Sequence, residues 1–295
     1  MTRNGNHKSQ APITKIAVRG QGSAIIPPDP RSLISVNCYD MGFWTAWQFL
    51  TIFPAPGNRG VGESGVGSSA GYFPLVGLIL GAILLGLDQL LGLFLPALLV
   101  SALLLVALII LTGALHLDGL MDTCDGFAVK SSAAERLKVM ADSRAGGFGV
   151  AGACCFILLQ YVSLITLPAD LRAAALLLMP TLSRWGAAYA IAAFPSAKKE
   201  GMGQMFKNKT GWPMLAIATV IALVIATIFL SYIGVALVAG IWIIASLIAK
   251  VLSSHLGGLT GDTYGAIIEL SEVATLILII IIGKLGGTSW LGLYL

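Results

Sequence analysis

The stretch ALLVSALLLVALIILTGALHLDGLMDTCDGF, from Ala97 to Phe127, joins a long apolar run to three closely spaced aspartates. Such a run is typical of a helix that crosses a membrane, for which about 20 apolar residues are needed. The aspartates begin directly after it, so we expect them to lie at the membrane border. Carboxylates in that position are costly unless a partner offsets their charge. The stretch therefore predicts both a membrane fold and a functional site beside the membrane.

Apolar runs recur along most of the chain. Of its 295 residues, 57% are hydrophobic and only 11% are charged. This composition excludes an ordinary soluble globular domain. We predict an all-α, polytopic integral membrane bundle of about seven transmembrane helices, each near the length that a bilayer crossing requires. The predicted spans are residues 72–92, 97–114, 148–167, 171–193, 212–231, 234–253 and 266–284.

The N-terminal part of the chain has a different composition. Residues 1–35 mix polar residues, glycines and four prolines, without an apolar period. We predict that they form a disordered extension, because such a segment buries too little apolar surface to offset the entropy of ordering. It also lacks the apolar core of a cleavable signal peptide. Residues 36–295 are predicted to form the transmembrane catalytic domain.

Basic residues are distributed unevenly between the predicted loops. If the first span starts in the cytosol, the loops at 115–147, 194–211 and 254–265 are cytosolic, and the opposite side has little beyond Arg172 and Lys284. By the positive-inside rule, these loops and the N-terminus face the cytosol and the C-terminus faces outward. No basic stripe with aromatic residues is present, so nucleic-acid binding is not expected. The cytosolic cations are Lys130, Arg136, Lys138, Arg144, Lys198, Lys199, Lys207 and Lys209.

Asp118, Asp122 and Asp125 are the first candidates for a site. On a helix, their spacing places the three carboxylates within about 60° on one face. Like charges so close together need a cation between them, and hard oxygen ligands are what Mg²⁺ prefers. The pattern indicates a magnesium site that handles phosphate. The alternative is that the aspartates form only a solvated helix end.

Other segments supply groups that suit a phosphate ligand. Ser143 and Arg144 come just before a glycine-rich turn that opens a predicted span, where free N–H groups and a guanidinium can both hold phosphate oxygens. Arg184 lies deeper in an apolar segment and needs an anion, either a local carboxylate or a ligand phosphate. We expect Asp262 and Glu269, at the start of the last span, to contribute to substrate binding.

Six motifs occur together in an order that resembles the cobalamin synthase family, the adenosylcobinamide-GDP ribazoletransferases. The resemblance extends from about residue 40 to the end of the chain, and the preceding tail departs from the family pattern. The motifs are FLTIFPAP (Phe49–Pro56), GYFPLVG (Gly71–Gly77), GALHLDGLMDTCDGF (Gly113–Phe127), ADSRAGGFGV (Ala141–Val150), LSRW (Leu182–Trp185) and TGDTYGAIIELSE (Thr260–Glu272).

The resemblance implies a multi-pass enzyme of the bacterial cytoplasmic membrane whose active site faces the cytoplasm. It would join adenosylcobinamide-GDP to α-ribazole, or its 5′-phosphate, and release GMP with the help of Mg²⁺. This is the final assembly step of the cobalamin nucleotide loop. We expect the corrinoid to rest at the cytosolic surface, partly over Trp44 and Trp47.

The residues take the following predicted roles in that reaction. Asp118, Asp122 and Asp125 would hold Mg²⁺, and Asp125 is alternatively the acceptor of the proton of the nucleophile. Asp122, Asp125 and Arg144 are the predicted catalytic residues. Ser143, Arg184, Asp262 and Glu269 are the predicted substrate-binding residues.

Two other functions are compatible with parts of the sequence. A CDP-alcohol phosphotransferase also uses aspartates along a cytosolic helix, but its usual aspartate spacing is not found here. A transporter would use Asp262, Glu269 and Arg184 as an ion path, although the acids gather at one membrane face instead of stepping through the bilayer. Small residues such as Gly77, Gly81 and Gly86 permit close helix contacts, within one chain or in an oligomer.

Overall fold

The structure, a computed structural model, describes residues 38–56, 63–198 and 202–286. These residues are almost entirely helical, as predicted. Within them no β-strand is formed, and Ser196 and Leu259 make an isolated backbone bridge. The helices are α1 (Cys38–Leu50), α2 (Glu63–Ser69), α3 (Phe73–Gly92), α4 (Ala97–Leu111), α5 (Leu115–Ala128), α6 (Ala133–Val139), α7 (Gly147–Thr166), α8 (Ala169–Ala193), α9 (Met202–Lys209), α10 (Trp212–Leu256) and α11 (Gly261–Gly286).

A sharp corner separates the apolar helix α4 from the acidic helix α5. Gly113 has φ +61° and Ala114 has φ +57°, so two consecutive residues adopt the left-handed conformation. The Ala114 N–H donates to the Ile109 carbonyl and the Gly113 N–H to the Ile110 carbonyl, which closes the end of α4 with a Schellman motif. The two helices consequently meet at 88°. Because of this corner, α5 and its aspartates run nearly at a right angle to the apolar helix α4.

Helix α8 forms the centre of the bundle. Every residue from 174 to 188 is buried, so the helix is covered around its whole circumference. Helices α3, α10 and α11 pack against it. A helix that is covered on all sides belongs to a core and not to a lipid-facing surface.

Two of the predicted small-residue contacts lie within the chain. Gly77 and Gly81 let the backbone of α3 touch the backbone of α8, at Pro180 and at Leu176 respectively. A side chain at either glycine would collide with these carbonyl oxygens. A Cβ at Gly86, in contrast, would have no atom within 4 Å. Gly77 and Gly81 therefore serve intramolecular packing, and an oligomer stays an untested prediction.

Helix α10 is a helical hairpin. Ser231 has φ 51° and ψ −139°, which breaks the helical geometry in the middle of its 45 residues. Gly234 packs directly on the carbonyl of Ala226. Residues eight apart in a straight helix are about 12 Å from each other, so this contact requires the chain to reverse at Ser231. From the sequence we predicted two spans here, residues 212–231 and 234–253, and the reversal at Ser231 falls at the end of the first.

The structure confirms a membrane protein but does not confirm the number of seven spans. In the described residues, four helical segments are long and apolar enough to cross a membrane, or five if the bent pair α4 and α5 forms one span. The hairpin α10 counts as one of the four. Helix α8 is not among them; it is less apolar on average and carries Asp170, Arg172 and Arg184. The four segments are Val66–Gly92, Gly147–Thr166, Trp212–Leu256 and Gly261–Leu285.

Arg172, one of the two cations expected on the outer side, is paired within the bundle. Its guanidinium donates to the Asp88 carboxylate, with Nη2 2.7 Å from Oδ1, and also to the Leu164 carbonyl. The pair joins α3, α7 and α8. The predicted extension at residues 1–35, Lys199 and the C-terminal residue Leu295 lie outside the described residues, so the predictions about them are unchanged.

Candidate functional site

Helix α5 presents its aspartates on the side opposite to its packed face. His116, Gly119, Thr123 and Gly126 are buried, and the Thr123 hydroxyl donates to the Gly119 carbonyl at 2.7 Å. The other face bears Asp118, which is exposed, and Asp122 and Asp125, which are half-buried. The helix is thus amphipathic, with a face of small residues packed on the bundle and a face of carboxylates.

A close crossing of α5 and α11 brings a fourth carboxylate to this face. A methyl group on Gly119 would come within 2.6 Å of the Asp262 carbonyl oxygen, so only glycine permits this approach. Gly265 allows a tight but less extreme approach to the backbone of His116, where a Cβ would lie 3.1 Å from the carbonyl oxygen. Asp262 consequently lies within electrostatic range of Asp122, as Asp118 and Asp125 do. The sequence suggested Asp262 as a site residue but could not place it beside Asp122.

Hydrogen bonds at the start of α11 fix the position of Asp262. The Thr260 N–H donates to the Thr263 hydroxyl at 2.8 Å, and the Thr263 N–H donates to the Thr260 hydroxyl at 3.3 Å. These reciprocal bonds satisfy donors at the helix start. The Thr260 hydroxyl also donates to Asp262 Oδ2 at 3.2 Å. The Asp262 carboxylate is therefore held at the first turn of α11.

Asp125 anchors the glycine-rich turn that begins α7. Its Oδ2 accepts from the Gly146 N–H at 2.8 Å and its Oδ1 from the Gly149 N–H at 2.7 Å. A carboxylate at a helix N-terminus satisfies free donors and complements the helix dipole. Both carboxylate oxygens of Asp125 thus accept hydrogen bonds from the backbone at the start of α7, which the sequence did not suggest. Its predicted roles as a metal ligand or proton acceptor stay predictions.

Arg144 is held by Asp142 in the loop between α6 and α7. Asp142 accepts from the Arg144 guanidinium at 2.7 and 3.0 Å and from its backbone N–H at 3.1 Å. These hydrogen bonds, first those of the side chain and then that of the backbone, lower the pKa of Asp142 to about 2. The Arg144 side chain is 87% exposed. The loop therefore presents an oriented guanidinium to solvent.

Two neighbouring cavities lie between this loop and α5. The larger, of about 630 Å³, is lined by Asp125, Arg144 and the turn from Ala145 to Phe148. The smaller, of about 220 Å³, is lined by Asp118, Asp122 and Ser143. Asp142 and Ala145 line both cavities and form the wall between them. The structure thus brings together the predicted residues of the two motifs HLDGLMDTCDG and ADSRAGG.

Arg184 does not line either cavity. Its guanidinium donates to the Glu272 carboxylate and to the Ser183 hydroxyl, and the arginine is fully buried. Glu272 also accepts from the Gln160 amide at 2.7 Å. The anion that Arg184 requires is therefore a local carboxylate, which was one of the two alternatives. The predicted binding of substrate by Arg184 has no support in this position.

Glu269 belongs to the same buried group as Arg184. It lies one turn before Glu272 on α11, within electrostatic range of both Arg184 and Glu272. Like Asp262, it lines neither cavity, but Asp262 lies within electrostatic range of Asp122, which does. Two buried nitrogen atoms of this region, His116 Nε2 and Arg184 Nε, have no hydrogen-bond partner among the residues that the structure describes.

The residues on α5 fit a hard divalent cation in their chemistry. Asp118 and Asp122 provide carboxylate oxygens at the wall of the smaller cavity, and Asp262 adds a third nearby. In the ranges that the structure describes, however, no three His, Cys, Asp or Glu side chains are grouped closely enough to enclose a metal ion. Asp118 and Asp122 are the better candidates for ligands because Asp125 is already bound to two backbone donors.

The fold and these cavities define an all-α, polytopic membrane protein with an acidic helix and an arginine loop at one membrane border. Residues 42–280 match the cobalamin-5-phosphate synthase family, and the chain belongs to that family. The match begins close to residue 40, where the sequence resemblance also begins, and leaves out the N-terminal tail.

Curated relatives match over most of their length. The adenosylcobinamide-GDP ribazoletransferase of Geotalea daltonii is 36% identical over 241 residues, which cover 82% of this chain and 97% of that protein. The protein of the same name from Desulfitobacterium hafniense is 40% identical over 243 residues, covering 79% and 94%. That of Synechococcus elongatus is 39% identical over 240 residues, covering 76% and 90%. No solved structure matches the chain.

Proposed function

We propose that this protein joins adenosylcobinamide-GDP to α-ribazole, or to its 5′-phosphate, and releases GMP. Family membership favours this reaction over the CDP-alcohol and transporter alternatives. The observation that carries the proposal is the shared wall of the two cavities. There the oriented Arg144 and the carboxylates of α5 border adjacent spaces, an arrangement that suits transfer of a phosphoryl group from GMP to a hydroxyl group.

The reaction is a substitution at phosphorus. A hydroxyl of α-ribazole attacks the phosphorus nearer cobinamide, a P–O bond forms, and the bond from that phosphorus to the bridging oxygen breaks. GMP departs with the electron pair as a phosphate monoester. Catalysis of such a transfer consists largely of positioning the reactants and stabilising charge on the phosphoryl oxygens.

The residues that line the cavities have separate roles in this reaction. Arg144 pairs with phosphate oxygens, and its orientation by Asp142 favours a bidentate contact. Ser143 contributes a hydroxyl donor to the smaller cavity. The proton of the attacking hydroxyl passes to a carboxylate of the site that does not hold the metal.

Mg²⁺ is part of the proposal. Asp118 and Asp122 would hold it, and the ion would neutralise charge on the diphosphate and the departing GMP. A lone acidic helix would repel a diphosphate, so a cation between the carboxylates and the substrate is required on electrostatic grounds. Asp262 adds to the same negative field.

The corrinoid is too large for either cavity, so we place it at the protein surface near α1. Trp47 stacks on Phe53 with ring centroids 5.7 Å apart, and Trp44 meets the edge of Phe43 at 5.2 Å. Both tryptophans are half-buried. They leave aromatic surface that a large, flat ring system can cover.

We further propose that the protein lies in the bacterial cytoplasmic membrane with the cavities facing the cytoplasm. The distribution of lysine and arginine supports this orientation. Single cysteines in place of Lys130, which is exposed, and of Leu295 test it by labelling from each side. We expect the first to react from the cytoplasm and the second from outside. A C-terminal cysteine that reacts from the cytoplasm contradicts the proposed orientation.

The test of the reaction uses purified protein in lipid nanodiscs. Adenosylcobinamide-GDP and α-ribazole are supplied with Mg²⁺, and GMP and the corrinoid product are separated by chromatography. We expect equal amounts of GMP and product, and no GMP when α-ribazole is omitted. GMP without a joined product would indicate hydrolysis instead of transfer. Replacing Mg²⁺ by a chelator tests the metal separately.

A further inference from the structure

Lys198 lies in the loop that follows α8, next to a short backbone pairing that fixes its position. The Ala197 N–H donates to the Leu259 carbonyl and the Leu259 N–H donates to the Pro195 carbonyl, both at 2.8 Å. The Ser196 hydroxyl donates to the carbonyl of Lys198 itself at 2.9 Å. The residue is thus attached to the segment that leads into α11.

Gly258 makes this pairing sterically allowed. Its φ of +149° is a conformation that other residues rarely adopt, and a Cβ there would come within 2.5 Å of the Ser196 and Ala197 backbone. The loop after α8 therefore lies directly on the turn before α11. The glycine at position 258 therefore allows the pairing that fixes Lys198 beside the start of α11.

The ammonium group of Lys198 faces the acidic side of the site. Its Nζ is 3.9 Å from Asp262 Oδ2, and it lies within electrostatic range of Asp122. At 3.9 Å the pair is held by charge and not by a hydrogen bond. The side chains are 43% and 30% exposed, so the N–H donors of Lys198 can reach a ligand from solvent.

We propose that Lys198 binds a phosphate oxygen of the nucleotide diphosphate, exchanging its contact with Asp262 for one with the substrate. This inference rests on the proposed function and adds a substrate-binding residue to it. A diphosphate entering a site with several carboxylates needs more than one cation. Arg144 supplies a guanidinium from the loop before α7, and Lys198 supplies a flexible ammonium from the loop after α8.

Kinetics of Lys198→Met test the proposal. Removing a charged contact should raise KM for adenosylcobinamide-GDP by about 10- to 100-fold. KM for α-ribazole should be nearly unchanged, because the lost contact is to the other substrate. Lys198→Arg keeps the charge and should stay within about 3-fold of the wild-type KM. Lys130→Met, at an exposed lysine that lines neither cavity, is the matched control.

A double variant separates substrate binding from simple neutralisation of Asp262. If Lys198 only offsets that carboxylate, Lys198→Met combined with Asp262→Asn restores the wild-type KM. We expect no restoration, since the phosphate contact is still missing. Restoration in the double variant, or an unchanged KM in Lys198→Met, overturns the proposal.

Binding of GDP, measured by calorimetry, gives a second readout that needs no turnover. Lys198→Met should weaken it by about 10-fold or more relative to the wild type and Lys130→Met. If the wild type binds GDP but releases no GMP from the substrate, the proposed function fails while the Lys198 site is still judged by this comparison. Equal GDP affinity in all three proteins, or no GDP binding by the wild type, rejects the Lys198 site.

Discussion

The guanidinium of Arg184 on α8 donates a hydrogen bond to the carboxylate of Glu272 on α11, and both side chains are only 1% exposed. Gln160 of α7 donates to the same carboxylate. One buried polar group therefore joins three helices of the bundle. In an apolar interior, each charge depends on the other, because neither can be solvated by water.

Loss of one partner of this pair should destabilise the protein. We expect Arg184→Met to lower the free energy of unfolding by about 3–5 kcal/mol, because Glu272 is left buried without its cation. Thermal unfolding in detergent measures the change. Arg184→Met combined with Glu272→Leu should recover much of it, and Lys250→Met, at an exposed position of α10, should have little effect. A stable Arg184→Met protein with a raised KM for adenosylcobinamide-GDP would show instead that Arg184 binds the substrate.

Replacing Asp122 by Asn should affect turnover more than folding. The change keeps the size of the side chain and removes the charge at the wall of the smaller cavity. Lost stabilisation of charge in the transition state typically reduces the rate by about 10²- to 10³-fold. The measurement is GMP release at saturating Mg²⁺. Glu135→Gln, on the exposed helix α6, is the control, and near-normal Mg²⁺-dependent GMP release by Asp122→Asn would mean that the aspartates are only a solvated helix end.

The anchor at the start of α7 predicts opposite effects at two glycines of one turn. A Cβ at Gly149 would collide with the Asp125 carboxylate and lie 2.9 Å from the Met121 carbonyl, whereas a Cβ at Gly147 would have no atom within 4 Å. Gly149→Ala should therefore cost about 1–3 kcal/mol of stability. Gly147→Ala should be neutral or stabilise by up to about 1 kcal/mol, since it reduces the entropy of the unfolded chain. Equal melting temperatures for both variants would contradict the contact between Asp125 and this turn.

The pair of Asp142 and Arg144 should be insensitive to pH in the neutral range. Hydrogen bonds from Arg144 lower the pKa of Asp142 to about 2, so the pair's contribution is complete above the ordinary pKa of about 4 and is lost as the pH falls through about 2. We expect Asp142→Asn to raise KM for adenosylcobinamide-GDP by about 3- to 10-fold, because Arg144 loses its fixed orientation. The factor should be the same at about pH 6 and about pH 8. A factor that changes between these values would show that a different titrating group orients Arg144.

The apolar runs were sufficient to predict an all-helical membrane protein, but not its number of spans. The sequence predicted α8 as one more span, whereas α8 is the buried centre of the bundle and is not among the described segments apolar enough to count as one. The left-handed conformation of Ala114 was also hidden, because alanine gives no signal for it. Local sequence reports how apolar a helix is, whereas its partners and its bends follow from packing.

Only part of the candidate site could be predicted, because local sequence does not show which distant residues pack together. The motifs around Asp122 and Arg144 line adjacent cavities, as their residue types suggested. The position of Asp262 beside Asp122 depends on the close crossing at Gly119, which pairs distant parts of the chain. The sequence indicated that the buried Arg184 needs an anion but could not tell a ligand phosphate from a local carboxylate such as Glu272, with which it pairs. Lys198 carried no signal beyond its charge.

The reversal of α10 at Ser231 has a practical consequence for anyone who attaches a probe to this protein. A helical rise of 1.5 Å per residue puts the tip of the hairpin about 28 Å along the helix from its start at Trp212. Pro195–Ala197 and Leu259, which position Lys198, flank the other end of the hairpin. A fluorophore or an epitope inserted at the Ser231 tip would therefore report on membrane insertion from a point remote from the carboxylates, and leave the chemistry undisturbed.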